Sequence, residues 1–258
     1  MFKTLKKIKN FIKESYQEGV EEAKAELAAE KAQESAQNEE NRKRIAEIPH
    51  SELFALAIAA PFRAVYLSDW SPIFEDDKPD EEVILPYSLY SYGDADSLTE
   101  TKRDELRKLL SRDFSVFDKD SAIRVSASIL LASSISDKLA EQADEESALI
   151  NSFRDYLKTE GHITPAWNAL AACMAAYVIS GSADCAYIKK DFASELLTDV
   201  SAFVRKEFSS WEEFGEEFLK GERKIKLNNA LGRGFLKKYV GYLNNKQGSP
   251  WRTVPFEK

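Results

Sequence analysis

Residues 164–181 read TPAWNALAACMAAYVISG, and the reading of this stretch decides the fold. Thr164 carries the side-chain oxygen that an N-cap needs, and Pro165 falls at the first helical position, where its missing N–H takes nothing from the helix. The alanine-rich run behind them favours helix. Gly181 follows as a natural C-cap. Trp167, inside the run, reads as a core residue. The apolar stretch from Ala166 to Ile179 is interrupted by Asn168 and stops short of the ~20 residues that a membrane span requires.

The helical pattern extends in both directions from this segment. Downstream, Ile188 to Phe208 reads as a helix. Ser209 or Ser210 then caps another, with Glu212 or Glu213 three residues on as a capping box. Trp211, Phe214, Phe218 and Leu219 share one face of it, and a last helix from Leu227 to Leu243 repeats Leu231, Phe235, Tyr239 and Leu243 at four-residue spacing. Upstream, Thr99 caps Glu100 to Leu110, and Asp118 or Asp120 opens a segment through Ala122, Val125, Ile129 and Leu130. Ser51 can cap a helix through Leu53, Phe54, Leu56 and Ile58, with Pro61 marking a break or kink. Residues 71–97, punctuated by Pro72, Pro79 and Pro86, read as loop with room for a short strand at Val83 to Leu85. The expected fold is all-α, a compact multi-helix globular domain over residues 48–258 preceded by a long helical arm over residues 1–47.

Two characters alternate inside the arm. Phe2, Leu5, Ile8, Phe11 and Ile12 recur at three- and four-residue spacing, with Lys3, Lys6, Lys7, Lys9 and Lys13 between them. That pattern suits docking on an anionic membrane surface through residues 1–13, docking on another helix, or packing on the chain's own body. From Glu14 onward the apolar residues are mainly alanines and carboxylates outnumber bases, so this part reads as a solvated spacer.

Near the C-terminus stand Phe208-Ser209-Ser210-Trp211-Glu212-Glu213-Phe214, then Gly221, then Ser249-Pro250-Trp251-Arg252. This combination resembles the bacterial domain of unknown function 1266 family (DUF1266) over residues 110–256, most closely from Trp167 onward, and leaves out the arm. In the family pattern an Asp and an Arg follow the tryptophan that Trp167 matches, whereas this chain has Asn168 and Ala171. The resemblance implies a fold and brings no activity with it. Trp211 and Trp251 read as a clasp closing the core, with a partner-binding hot spot as the alternative.

Chemistry is sparse along the chain of 258 residues. Its net charge of −8 and pI near 5.1 weigh against nucleic acid as a partner, because affinity for a polyanion comes from clustered Lys and Arg. Cys173 and Cys185 lack metal-ligand spacing and read as reduced and buried. His50 and His162 lie far apart, each beside a helix start. No phosphate loop, dinucleotide fingerprint, zinc helix or nucleophile elbow occurs, and the reading assigns no catalytic residue, cofactor or metal. Glu212, Glu213, Glu216 and Glu217 stack at helical spacing but read as a solvated helix start. Asp94 and Asp96 form only a weak cation-loop match.

The expectation is a non-enzymatic protein-protein interaction module in the cytoplasm, of an immunity-like or effector-associated kind, binding an unknown protein partner. The acidic loop Glu75, Asp76 and Asp77, with Tyr87, Tyr90 and Tyr92, is the first candidate contact surface. Two alternatives remain open at this point: a scaffold peripheral to the inner membrane, anchored by the basic N-terminal helix, and an enzyme with a carboxylate-lined cleft.

Overall fold

The computed structural model describes residues 2–67, 87–94, 98–132, 164–225, 230–246 and 248–257. The chain divides into two compact units, residues 1–46 and 47–258. The first is a single helix, α1 (Phe2–Ala46), roughly 67 Å long at the standard helical rise. Val20 and Leu27 are exposed on it, as a segment with little apolar surface to bury requires. The side chains of Phe2, Lys3, Leu5, Lys6, Lys7, Ile8, Phe11 and Ile12 lie outside the described set.

The second unit runs α2 (His50–Leu67), a 3-10 turn at Tyr87–Leu89, α3 (Glu100–Phe114), α4 (Lys119–Ala132), α5 (Pro165–Asp184), α6 (Lys190–Glu207), α7 (Trp211–Ile225), α8 (Ala230–Asn245) and α9 (Pro250–Thr253). It is all-α, with no strand among the described residues. The proposed strand at Val83 to Leu85 falls outside them, as does the expected start of α8 at Leu227.

Helix α5 is the axis of this unit. Thr164 caps it through Oγ1, which accepts the Trp167 N–H at 3.3 Å, and Pro165 takes the first position. Every residue from Ala166 to Asp184 is buried, because α2, α3, α4, α6 and α7 all pack around it. The apolar composition that would suit a membrane span is thus covered by protein on all sides. The helix does not stop at Gly181. It continues to Asp184, and the left-handed residue that ends it is Ala186 at φ 59°. Tyr187 N–H donates to the Ser182 carbonyl and Ala186 N–H to that of Ala183, the paired bonds of a Schellman ending with alanine where glycine is usual. At Gly181 the δ-carbons of Leu110 come within 3.5 Å and 3.6 Å of where a side chain would begin, so the glycine serves helix packing.

Pro61 neither breaks nor ends α2, which runs unbroken from His50 to Leu67. A proline there deprives the Ala57 carbonyl of its partner one turn ahead. The Trp251 indole replaces it, with Nε1–H donating to the Ala57 oxygen at 2.7 Å. Trp251 is thereby tied to α2 by a bond that the proline makes necessary. Its ring stacks on Trp211 with centroids 5.8 Å apart and planes 3° from parallel, and Trp211 in turn donates to the Val254 carbonyl at 2.7 Å. Phe54, Phe214 and Phe256 complete the cluster. A side chain at Gly215 would meet the Trp251 ring at 2.7 Å, so only glycine lets the indole lie against α7. One at Gly221 would run into the Ala166 carbonyl and the Leu170 side chain, the latter at 3.1 Å, which sets how closely α7 approaches α5. The tryptophan clasp expected from the sequence is therefore a structural device.

The capping expectations divide. Thr99 caps α3, and Asp118, not Asp120, caps α4 by accepting the Ser121 N–H at 2.8 Å. The Ser121 hydroxyl and N–H hold the Asp118 carboxyl below its ordinary pKa. Ser210 Oγ accepts the Glu213 N–H at 3.1 Å, while the Glu213 carboxylate reaches back to Ser209 rather than to Ser210. Ser51 does not cap α2. The helix starts one residue earlier, with the Pro49 carbonyl taking the Glu52 and Leu53 N–H groups.

Candidate functional site

Two corners of the body meet beside the C-terminal end of α5. At the first, α3 closes on Ser115 in the left-handed region at φ 55°, Val116 turns inward, and Phe117 is left 58% exposed just before α4. At the second, the turn after α5 delivers Tyr187, Ile188, Lys189 and Lys190 to the start of α6. Between them lies a groove of about 750 Å³. Among the described residues, Ile123, Ile188, Phe192 and Tyr187 give it apolar surface, and Lys119, Lys189 and Lys190 supply charged groups. A smaller hollow of about 390 Å³ shares Lys119 and Ile123 and adds Asp120 and Arg124.

One wall is held by a buried ion pair. Arg63 on α2 and Asp184 at the end of α5 have no exposed side-chain surface and meet at 2.8 Å. Arg63 also donates to Ser180 Oγ at 3.0 Å and to the carbonyls of Ser88 and Ser91 at 2.6 Å and 2.9 Å. The other Asp184 oxygen accepts the Gly93 N–H at 2.8 Å. Charges removed from water are tolerable only with dense partnering of this kind, and here Arg63 Nε alone of the guanidinium nitrogens is left without a hydrogen bond. Together these bonds pin the segment from Ser88 to Gly93 against α5, and Gly93 with Ala183 lines the groove. Gly93 adopts φ +70°, with the Lys190 Cβ 3.3 Å from where its side chain would start, so glycine is needed for both conformation and space.

Lys190 is fixed in place, 3.1 Å from Asp94 and 3.4 Å from Glu52, over the Tyr92 ring. Burial opposes its charge, but the Asp94 and Glu52 carboxylates outweigh burial and raise its pKa. It stays an ammonium at neutral pH. Asp94, read from sequence as half of a weak cation loop, is thus engaged by a lysine, and Asp96 lies outside the described residues. Among the described residues, no cluster of three or more His, Cys, Asp or Glu is placed to hold a metal.

The expected contact surface needs correction. Tyr90 and Tyr92 are buried at 2% and 0% exposure, because the Tyr90 hydroxyl donates to the Gly248 carbonyl and Tyr92 packs beneath Lys190. Burial raises both phenol pKa values. They anchor the segment and are closed to a partner. Tyr87 is half-buried, while Glu75, Asp76 and Asp77 lie outside the described residues. Both cysteines are buried and free. Burial, with the adjacent Asp184 charge, pushes the Cys185 thiol up to about 12, and burial raises that of Cys173. Neither is a nucleophile at neutral pH. Of the four stacked glutamates, Glu213 caps its helix and Glu217 pairs with Lys220 at 2.6 Å.

Sequence reasoning missed Arg63 and Asp184. The signal was a single charge in each of two long apolar runs, which is rare without a buried partner.

The sequence model for "Protein of unknown function (DUF1266)" matches residues 4–256, nearly the whole chain. The protein belongs to the DUF1266 family. Its membership reaches back through α1, beyond the C-terminal resemblance that left the arm out. The signature residues of this DUF1266 protein, Trp211, Gly221 and Trp251, sit in the clasp and the α5–α7 contact, apart from the residues lining the groove. No curated protein and no solved structure matches the chain.

Proposed function

We propose that this DUF1266 protein is a non-enzymatic protein-interaction module whose binding face is the groove between α4 and the α5–α6 turn. The observation that carries this reading is a half-apolar, lysine-edged groove beside a large exposed aromatic, Phe117. An aromatic near a concave apolar surface is a common anchor of an interface. The chemistry of the groove favours recognition over turnover. Lys190 is held protonated by two carboxylates, and the nearest thiol, Cys185, is buried with a raised pKa. A carboxylate-lined cleft would present acids, whereas the described residues lining this groove present ammonium groups.

Affinity capture from the native cell tests the reading, comparing the full chain with its Ile123→Glu form after both are shown to melt alike. Ile123 is half-buried in the groove, so the change places a charge where apolar contact is expected. A stoichiometric partner held by the wild type and lost from Ile123→Glu supports the groove as the binding face. Equal retention by both forms would reject it.

A further inference from the structure

We infer that the occupant of this groove is an acidic segment of a partner protein, with apolar side chains interspersed among its carboxylates. The inference rests on the groove being the interaction face and names what it recognises. The chain as a whole is acidic, with net charge −8, yet the groove carries Lys119 and Lys189 besides Lys190, which Asp94 and Glu52 already engage, and the adjoining hollow sets Arg124 against Asp120. Lys119 and Lys189 are exposed, and neither is paired with a carboxylate among the described residues. Two exposed ammonium groups set against the sign of the whole molecule act as a local selector for the opposite charge.

Local structure strengthens the case. Lys189 occupies the N-cap of α6 and makes no capping hydrogen bond. That position ordinarily carries Ser, Thr, Asp or Asn, because the helix start has unpaired N–H groups and a partial positive charge. A lysine there adds like charge to like. Asp191 in the same turn is exposed and does not line the groove. A carboxylate arriving from a partner would meet the Lys189 ammonium and the open first turn together, and would supply what the chain's own N-cap lacks. Asp191 offsets part of the helix-end charge, while the N-cap position itself, occupied by Lys189, stays without a side-chain cap.

The apolar surface selects among anions. A phosphate or another small anion would satisfy the lysines and leave Ile123, Phe192 and Tyr187 uncovered. A peptide alternating carboxylates with aliphatic or aromatic side chains covers both parts of the groove, and exposed Phe117 stands two residues before Lys119 in the chain.

The test is fluorescence anisotropy on the full chain with three labelled peptides: one alternating Glu with Leu, one with Gln replacing Glu, and one with Lys replacing Glu. Unlabelled inorganic phosphate serves as competitor, and the protein variants are Lys119→Glu/Lys189→Glu and Ile123→Glu. The expected result is binding of the Glu peptide alone, weakening with added salt and lost roughly tenfold or more in the double charge reversal. Binding of the Gln peptide as tightly as the Glu peptide, abolished by Ile123→Glu, would overturn the acidic occupant and leave the groove as an interaction face. Full displacement by phosphate would overturn it in favour of a bare anion site. Absence of binding by the Glu peptide, or binding unchanged in all variants, would overturn the inference, and the second outcome would also remove the groove from the binding face.

Discussion

Replacing Trp251 by Phe removes the indole N–H that fills the Ala57 carbonyl while keeping an aromatic ring in the clasp. Ala57 is fully buried, and Pro61, the residue that would serve its carbonyl in an unbroken helix, has no N–H. The substitution therefore strands a buried acceptor, a loss of about 1–3 kcal/mol. The void left by the smaller ring adds about 1 kcal/mol. For a unit of this size, a total near 2–4 kcal/mol lowers Tm by roughly 4–16 °C. The reasoning is specific because Pro61→Ala restores the missing donor. In that background Trp251→Phe is expected to lose only the part due to the void, giving a coupling of about 1–3 kcal/mol between two residues on different helices. Urea unfolding followed by far-UV circular dichroism on the wild type, both single variants and the double variant completes the cycle. Equal losses in the two backgrounds, within about 0.5 kcal/mol, would refute the claim that the indole stands in for the proline.

Arg63→Met leaves the Asp184 carboxylate buried without its guanidinium, and a loss of about 3–5 kcal/mol is expected in the same unfolding assay. Gly221→Ala forces a methyl against the Ala166 carbonyl and destabilises by at least about 1–2 kcal/mol, whereas Gly234→Ala in α8, with nothing near the new methyl, stabilises by about 0.5–1 kcal/mol. The opposite signs separate crowding from helix propensity. Ala186→Gly relieves a left-handed alanine, and urea titration is expected to show a gain of about 0.5–1 kcal/mol, the conformational penalty less glycine's entropic cost. Iodoacetamide leaves Cys173 and Cys185 unmodified in the native protein at neutral pH and labels both in denaturant, read by intact mass. For Cys185 the native thiolate emerges only as the pH approaches about 12.

Local signals were legible wherever the partner lies within one helical turn. Thr164 with Pro165, Thr99, Asp118 and Ser210 each bond three residues ahead, and spacing alone reveals such pairs. Gly181 misled because a glycine can serve close packing as well as a helix ending, and Ala186 took the left-handed position that composition assigns to glycine. Pro61 misled for a related reason: the indole that repairs its carbonyl stands in α9, and no window along the chain contains both. Tyr90 and Tyr92 looked exposed beside acidic residues, yet a phenol can bury its ring while its hydroxyl reaches a carbonyl, as Tyr90 does. The groove itself was invisible for a stronger reason. It is assembled by two turns and a buried Arg63–Asp184 pair from segments whose residues read individually as surface lysines and ordinary core.

Site-specific photocrosslinking in the native cell bears most directly on the groove as the binding face. A benzophenone side chain is placed at Phe117 in one form of the full chain and at exposed Arg223 in another. Arg223 follows Gly221, which abuts Ala166 at the far end of α5, roughly 25 Å along that helix from Ala183. The account predicts a discrete protein adduct from position 117, mapped by mass spectrometry to an acidic segment, and none from position 223. An adduct at 223 with none at 117 would contradict it.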